Sequence, residues 1–150
     1  MRTKGYDLIG EQVYTEKLEN GLEVLVVIKK GFNKSYAFFA ADYGGADRRF
    51  QYGGKWIDTP MGVAHFLEHK MFDTEQGNAL TALSANGASP NAFTSSDMTA
   101  YYFETTEKFS DNLEILLGFV SEPYFTPESV QKEQGIIGQE IRMTEDDPDH

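Results

Sequence analysis

Residues 59–72 read Thr-Pro-Met-Gly-Val-Ala-His-Phe-Leu-Glu-His-Lys-Met-Phe, and everything else in the chain is best understood outward from this stretch. Thr59 is a suitable N-cap, and Pro60 suits the first helical position, where no amide hydrogen is needed, so a helix is predicted from here to Phe72. Val63, Ala64, Phe66, Leu67, Met71 and Phe72 make it apolar nearly all round, the pattern of a buried helix. Residues four apart in a helix lie one turn above another on the same face. His65 and His69 therefore point the same way and can hold one metal ion between them. Glu68 falls beside that pair, where its carboxylate can take a proton from a water held at the site. The order His-x-x-Glu-His inverts the commoner His-Glu-x-x-His helix, and the inverted form is itself a catalytic zinc motif. The bland alternative is two core histidines, each bonded to a carbonyl. Only three histidines occur in the whole chain, and two of them stand here flanking a glutamate, which favours the metal.

A catalytic zinc usually takes three protein ligands and keeps a fourth position for water. Candidates for the third ligand stand in a second long helix predicted from Thr126 to Asp147, with Thr126 as cap and Pro127 at the first position. Glu133 and Glu140 lie seven residues apart there, on the same face and roughly 10 Å from each other along the axis, so one ion cannot be held directly by both. Gly135 and Gly138 lie between them, each costing about 1 kcal/mol against alanine in a helix interior. They are expected to let this helix approach the histidine helix closely. Taken alone, the segment also reads as a solvated acidic face.

The run Gly62-Val63-Ala64-His65-Phe66-Leu67-Glu68-His69, followed by Phe72, resembles the zinc helix of the pitrilysin/insulysin family of metallopeptidases, the inverzincins. In that family the third ligand is a glutamate well downstream; the resemblance assigns it to Glu140, 71 residues after His69, within Gln139-Glu140-Ile141. A supporting glutamate seven residues earlier matches Glu133, placing it in the catalytic apparatus as an orienting or charge-holding group. Asn91-Ala92-Phe93-Thr94, preceded by Gly87, is similar to the strand that runs along the active site as a sheet edge, which makes Asn91 and Ala92 substrate-binding residues. The likeness extends from about Leu22 onward and is strongest to bacterial members related to the mitochondrial processing peptidases. The stretch from Arg48 to Pro60 is longer and more polar than the resemblance leads one to expect before the zinc helix.

Composition sets bounds around this reading. Twenty aromatic residues and 40% hydrophobic content in 150 residues are ample for one core, so a single domain over 1–150 is expected. There is no cysteine, which removes disulfides and thiolate metal sites. No apolar run approaches the ~20 residues of a membrane span, and the N-terminal Met-Arg-Thr-Lys-Gly lacks the apolar stretch of a signal peptide, so a cytoplasmic location is expected. The net charge of −11 argues against nucleic acid as a partner. Acids gather at the end, at Glu145, Asp146, Asp147 and Asp149, a pattern that serves solubility more often than recognition. His150 belongs to no motif.

Periodicity supplies the organisation. Gln12–Leu18 and Leu22–Lys29 flank Glu19-Asn20-Gly21 and read as a hairpin, with Leu22, Val24, Val26 and Ile28 forming an apolar face. Ser35–Tyr43 reads as a third strand. A short helix from about Ala79 to Ala85 is capped by Asn78 and stopped by Gly87. Phe93–Ser95 and Thr99–Thr105 are strand segments around the bend Ser96-Asp97. Leu113, Leu116, Leu117 and Val120 mark a helical core face after Ser110. Strands in hairpin succession and helices in groups predict an α+β fold, an antiparallel sheet with helices packed on one face.

The resemblance implies a zinc-dependent endopeptidase with one Zn2+ per lobe, acting on extended peptides with Glu68 as general base. It further implies that these residues are the N-terminal portion of a catalytic lobe truncated at its C-terminus. A second, pseudo-equivalent lobe or a partner subunit would close over the zinc. Alone, the 150 residues are expected to bind zinc with little or no peptidase activity. Two rival readings are a catalytically silent structural or peptide-recognition subunit, against which the intact motif counts, and a zinc-stabilised binding module. The latter needs a fourth protein ligand, for which Glu133 and His150 are poorly spaced.

Overall fold

The Asn20-Gly21 turn forms as its chemistry demands. The Asn20 side chain accepts from the Leu22 amide at 3.1 Å, and Gly21 takes a φ of 91°, which only glycine adopts without strain. In the computed structural model, which describes residues 1–145, the chain groups into two compact units, Met1–Asn33 and Lys34 onward.

The first unit is an antiparallel sheet of β1 (Arg2–Tyr6), β2 (Glu11–Lys17) and β3 (Glu23–Val27), in that order. β2 and β3 are the predicted hairpin. β1 lacks apolar alternation, and every one of its residues is exposed; it is a strand because it pairs with β2, Thr3 opposite Tyr14 and Lys4 opposite Val13. Of the apolar stripe expected there, Leu22 and Val24 are partly buried whereas Val26 and Ile28 are exposed, so it is not sealed into a core within this unit.

The second unit is organised around β4 (Ser35–Ala41), β10 (Thr99–Thr105) and β9 (Ser89–Thr94), antiparallel in the order β4-β10-β9. Tyr101 stands opposite Phe39 and Ala92, and Phe103 opposite Ala37 and Pro90, so these residues share one face. On that face pack α1 (Val63–Lys70), α2 (Ala79–Ala85) and α3 (Phe109–Ser121). Ala37, Phe72, Ala79, Leu83, Tyr101, Phe103, Leu116 and Phe119 form its buried core. The antiparallel α+β arrangement with helices against one sheet face is therefore the fold. Of the four residues expected to build the α3 core face, Leu116 is buried and Leu113 and Val120 pack against the core, whereas Leu117 is exposed.

Two small hairpins complete the unit. β5 (Arg49–Tyr52) and β6 (Lys55–Asp58) occupy the polar stretch before α1, joined by Gly53-Gly54 with φ of 57° and 77°. A two-glycine turn with both φ positive matches the twist of a hairpin, and it explains the extra length there. β7 (Asp73–Thr74) and β8 (Gly77–Asn78) lead into α2, which Asn78 caps by accepting from the Leu80 and Thr81 amides.

The start of α1 differs from expectation. Thr59 and Pro60 are not its cap and first residue: the Thr59 amide donates to the Arg48 carbonyl at 2.8 Å and so closes the base of the β5–β6 hairpin. The helix starts only at Val63, after Gly62 with a φ of 84°. Nor is α1 buried all round. Ala64 and Lys70 are buried, while residues 65–69 are partly accessible.

The last helix, α4 (Pro127–Glu145), starts as predicted, with Thr126 and Ser129 side chains each accepting from the other's amide at 3.1 Å. It contacts α1. The two glycines do not mediate that contact: a Cβ at Gly135 would meet nothing within 4 Å, and one at Gly138 only Arg142 Nη1 at 3.9 Å. Asp146, Asp147, Asp149 and His150 lie outside the described residues. Among the described residues no helix is long and apolar enough to cross a membrane.

Candidate metal centre

The α1 register brings the two imidazoles together as its periodicity requires, ring centroids 4.7 Å apart and nearly perpendicular. α4 then crosses α1 so that one carboxylate meets both. Glu140 Oε2 lies 3.8 Å from His65 Nε2 and 3.9 Å from His69 Nε2. One donor atom from each of the three residues falls within a 4.8 Å set, the one such metal-binding group among the described residues. Zinc bonds of about 2.0–2.2 Å set tetrahedral donors about 3.3–3.6 Å apart, so donors lying within 4.8 Å of one another need to draw in by up to about 1.5 Å. Two neutral imidazoles and one carboxylate are a donor set that suits zinc with an open fourth position. The side chains of His65 and Glu140 are 45% and 43% exposed, which leaves that position reachable from solvent.

Glu133 serves a different atom. Its Oε1 lies 2.9 Å from His69 Nδ1, and its side chain is only 12% exposed. A carboxylate at that distance favours the tautomer with its proton on Nδ1, which leaves the Nε2 lone pair available to a metal ion. Glu133 and Glu140 are therefore not interchangeable.

Glu68 stands outside the donor set. Its Oε2 accepts a hydrogen bond from the Thr94 hydroxyl at 2.6 Å, so β9 touches the carboxylate directly. Tyr101 braces the helix from below: its hydroxyl donates to the Leu67 carbonyl at 3.3 Å, and its ring meets Phe72 and Phe119 edge-on, each centroid 5.5 Å away. Burial pushes the Tyr101 phenol well above its usual range, and the Glu68 charge adds to the effect, so the group stays a neutral donor.

Asn91 and Ala92 lie on β9, the edge strand of its sheet among the described residues, and line a cavity of about 320 Å3 together with Glu68 and His69. The Asn91 side chain accepts from the Ala92 amide at 2.8 Å. Phe72, Leu80 and Ile136 give this cavity apolar walls, with Lys132 and Asp73 as charged members.

Several residues here were not anticipated. Thr94 stands in the Asn-Ala-Phe-Thr run, and strand alternation from Ala92 would have turned it towards α1. Lys70 had one signal, a lysine between His69 and the apolar Met71 and Phe72 in a segment read as buried. It is wholly buried, with Nζ donating to Asp73 Oδ2 at 3.1 Å and the Tyr124 carbonyl at 2.7 Å, and it lies 5.2 Å from the Phe125 ring centroid. It thereby ties the end of α1 to the linker that launches α4.

A protein of Bacillus subtilis named uncharacterized zinc protease YmfH is 51% identical over 96% of this chain, which covers 34% of its length. The insulin-degrading enzyme of Drosophila melanogaster is 32% identical over 83% of the chain, covering 12% of that protein. A crystal structure from Alicyclobacillus acidocaldarius, described as an M16-like peptidase, superposes with a TM-score of 0.88 at 42% identity, covering 93% of this chain and 33% of that one. Pitrilysin shares the fold, with a TM-score of 0.74 at 23% identity over 94% of this chain and 15% of its own. The chain thus spans about a third or less of these relatives. The model of the insulinase family, peptidase family M16, matches residues 54–150, and with them the whole of α1 and α4: the chain belongs to that family.

Proposed function

We propose that this chain carries the zinc site of an endopeptidase acting on extended peptides. His65, His69 and Glu140 hold the ion, Glu68 is the general base, and Glu133 fixes the His69 ring. One observation carries the reading: three donors of the right chemistry converge within 4.8 Å while a fourth residue, the acidic Glu68, lies on the helix of the two histidines but outside the set. Zinc, when bound, lowers the pKa of a water ligand towards ~7 and polarises a carbonyl oxygen. The free oxygen of Glu68 takes the proton of the attacking water and can pass it to the departing amine, the usual double duty of a general base. Edge strand β9, which carries Asn91 and Ala92, leaves one side of its backbone for an extended peptide, so the substrate enters as an added strand. Walls beyond these residues would come from a second lobe or a partner subunit, in keeping with relatives about three times as long.

The test is Glu68→Gln in the complete gene product. The amide keeps the shape of the side chain but cannot accept the proton, so peptide hydrolysis falls about 100- to 10,000-fold with zinc content unchanged. Loss of zinc in step with activity would make Glu68 a ligand and refute the assignment.

A further inference from the structure

We infer that Thr94 is a positioning residue for the base: its hydroxyl holds one oxygen of Glu68 and thereby turns the other towards the reacting water. The inference rests on Glu68 being the base, and the observations behind it are separate ones. The Thr94 Oγ1 to Glu68 Oε2 distance of 2.6 Å is that of a strong bond to a carboxylate. A second hydroxyl, Thr99 Oγ1, approaches Thr94 at 3.4 Å. Each threonine has a single proton to donate. That of Thr99 goes to the Tyr43 carbonyl at 2.9 Å, so the 3.4 Å approach lacks a proton and is a packing contact. The Thr94 proton is left with Glu68 as its acceptor.

The anchor behind Thr94 is stiff. It is the last residue of β9, and the turn that follows is closed by the Ser95 amide on the Met98 carbonyl at 2.8 Å. The neighbouring segment grips this turn through the Gly45 amide on the Ser95 carbonyl and the Ala46 amide on the Ser96 carbonyl, both at 2.8 Å. Gly44 packs so closely that a Cβ there would come within 2.5 Å of backbone atoms of Ser96 and Asp97. A hydroxyl held so firmly restrains the carboxylate it touches. Because Thr94 belongs to the same strand as Asn91 and Ala92, a peptide added to β9 and the base share one rigid element. Orientation is then set before the substrate arrives, and that is where such geometry yields rate.

The experiment compares Thr94→Val and Thr94→Ser with the parent in the complete, zinc-loaded gene product. Valine keeps the shape and suits a strand but lacks the hydroxyl; serine keeps the hydroxyl. We expect kcat of T94V to fall about 10- to 100-fold, as changes behind a catalytic group do, with KM within about threefold and unchanged zinc stoichiometry and chelator affinity. T94S should recover kcat to within about threefold of the parent. Crystal structures of the metal-free parent and T94V give a readout apart from activity: the Glu68 carboxylate should leave its present position in T94V alone. Should T94V not fold, Thr94→Ala takes its place with the same expectations. Full kcat in T94V, an unmoved Glu68 carboxylate, or equal losses in T94V and T94S would each overturn the inference. If Glu68→Gln is inactive while T94V is fully active, the Thr94 inference alone fails. If Glu68→Gln retains full turnover, the base assignment fails and this inference with it.

Discussion

Replacing Glu133 by glutamine should weaken zinc binding by about tenfold, and replacing Glu140 should weaken it far more. The difference follows from which atoms each carboxylate meets. Glu133 Oε1 is 2.9 Å from His69 Nδ1 in a setting that leaves 12% of its side chain exposed. Glutamine preserves an acceptor oxygen at that place and removes the charge. A hydrogen bond to a charged group contributes about 1.5–3 kcal/mol, and a neutral one about 0.5–1.5 kcal/mol. The change therefore costs about 1–1.5 kcal/mol, or between five- and tenfold in affinity at about 1.4 kcal/mol per decade. Glu133→Ala also leaves the Nδ1 proton without its partner and should approach a hundredfold, the upper end for groups that support a metal ligand. Glu140 is nearer to the metal position itself, 3.8 and 3.9 Å from the two Nε2 atoms. Its conversion to glutamine takes away the one anionic donor of the three. Competition with a chromogenic chelator, run on parent, E133Q, E133A and E140Q with melting temperatures as controls, ranks the four. A loss in E133Q equal to or larger than that in E140Q would refute the division of roles between the two glutamates.

Further outcomes follow from individual contacts. Lys70→Ala should destabilise the protein by about 3 kcal/mol, the lower end for breaking a buried ionic contact because Asp73 keeps 32% of its side-chain exposure, and Lys70→Met by about 1–3 kcal/mol for the Tyr124 carbonyl left behind. Urea unfolding measures both, and a methionine variant more stable than the parent would contradict the linker-tying role. Gly44→Ala should cost about 2 kcal/mol or more, since its Cβ would press on backbone at 2.5 Å and not on a movable side chain; an unchanged melting temperature would show that the 95–98 turn yields. Removal of zinc by 1,10-phenanthroline should abolish peptidase activity of the complete gene product, and zinc should restore it; residual activity at full metal depletion would exclude a zinc mechanism.

Features that depend on neighbours within a few residues were legible without any structure. The i, i+4 spacing aligned His65 with His69, and Asn20-Gly21 marked the hairpin. Asn78 and Thr126 marked the starts of α2 and α4, because capping and turn formation are settled by local backbone chemistry. Local signals failed where a distant segment had a prior claim. Thr59 carries the chemistry of an N-cap, yet its amide is committed to Arg48 across a hairpin. β1 has no pattern of its own and exists because β2 offers it an edge. Gly135 and Gly138 suggested a tight crossing that is not built on them. The two helix glutamates show the boundary most clearly. Seven residues apart on one face, they were equivalent by spacing, and only the resemblance to a family separated them. The angle and depth at which α4 packs on α1 set Glu140 against both Nε2 atoms and Glu133 against Nδ1 of His69. Periodicity places a side chain on a face of its own helix. Which atom of another element it meets depends on how the two helices are held together, and here Lys70 ties the end of α1 to the Tyr124 carbonyl in the linker before α4.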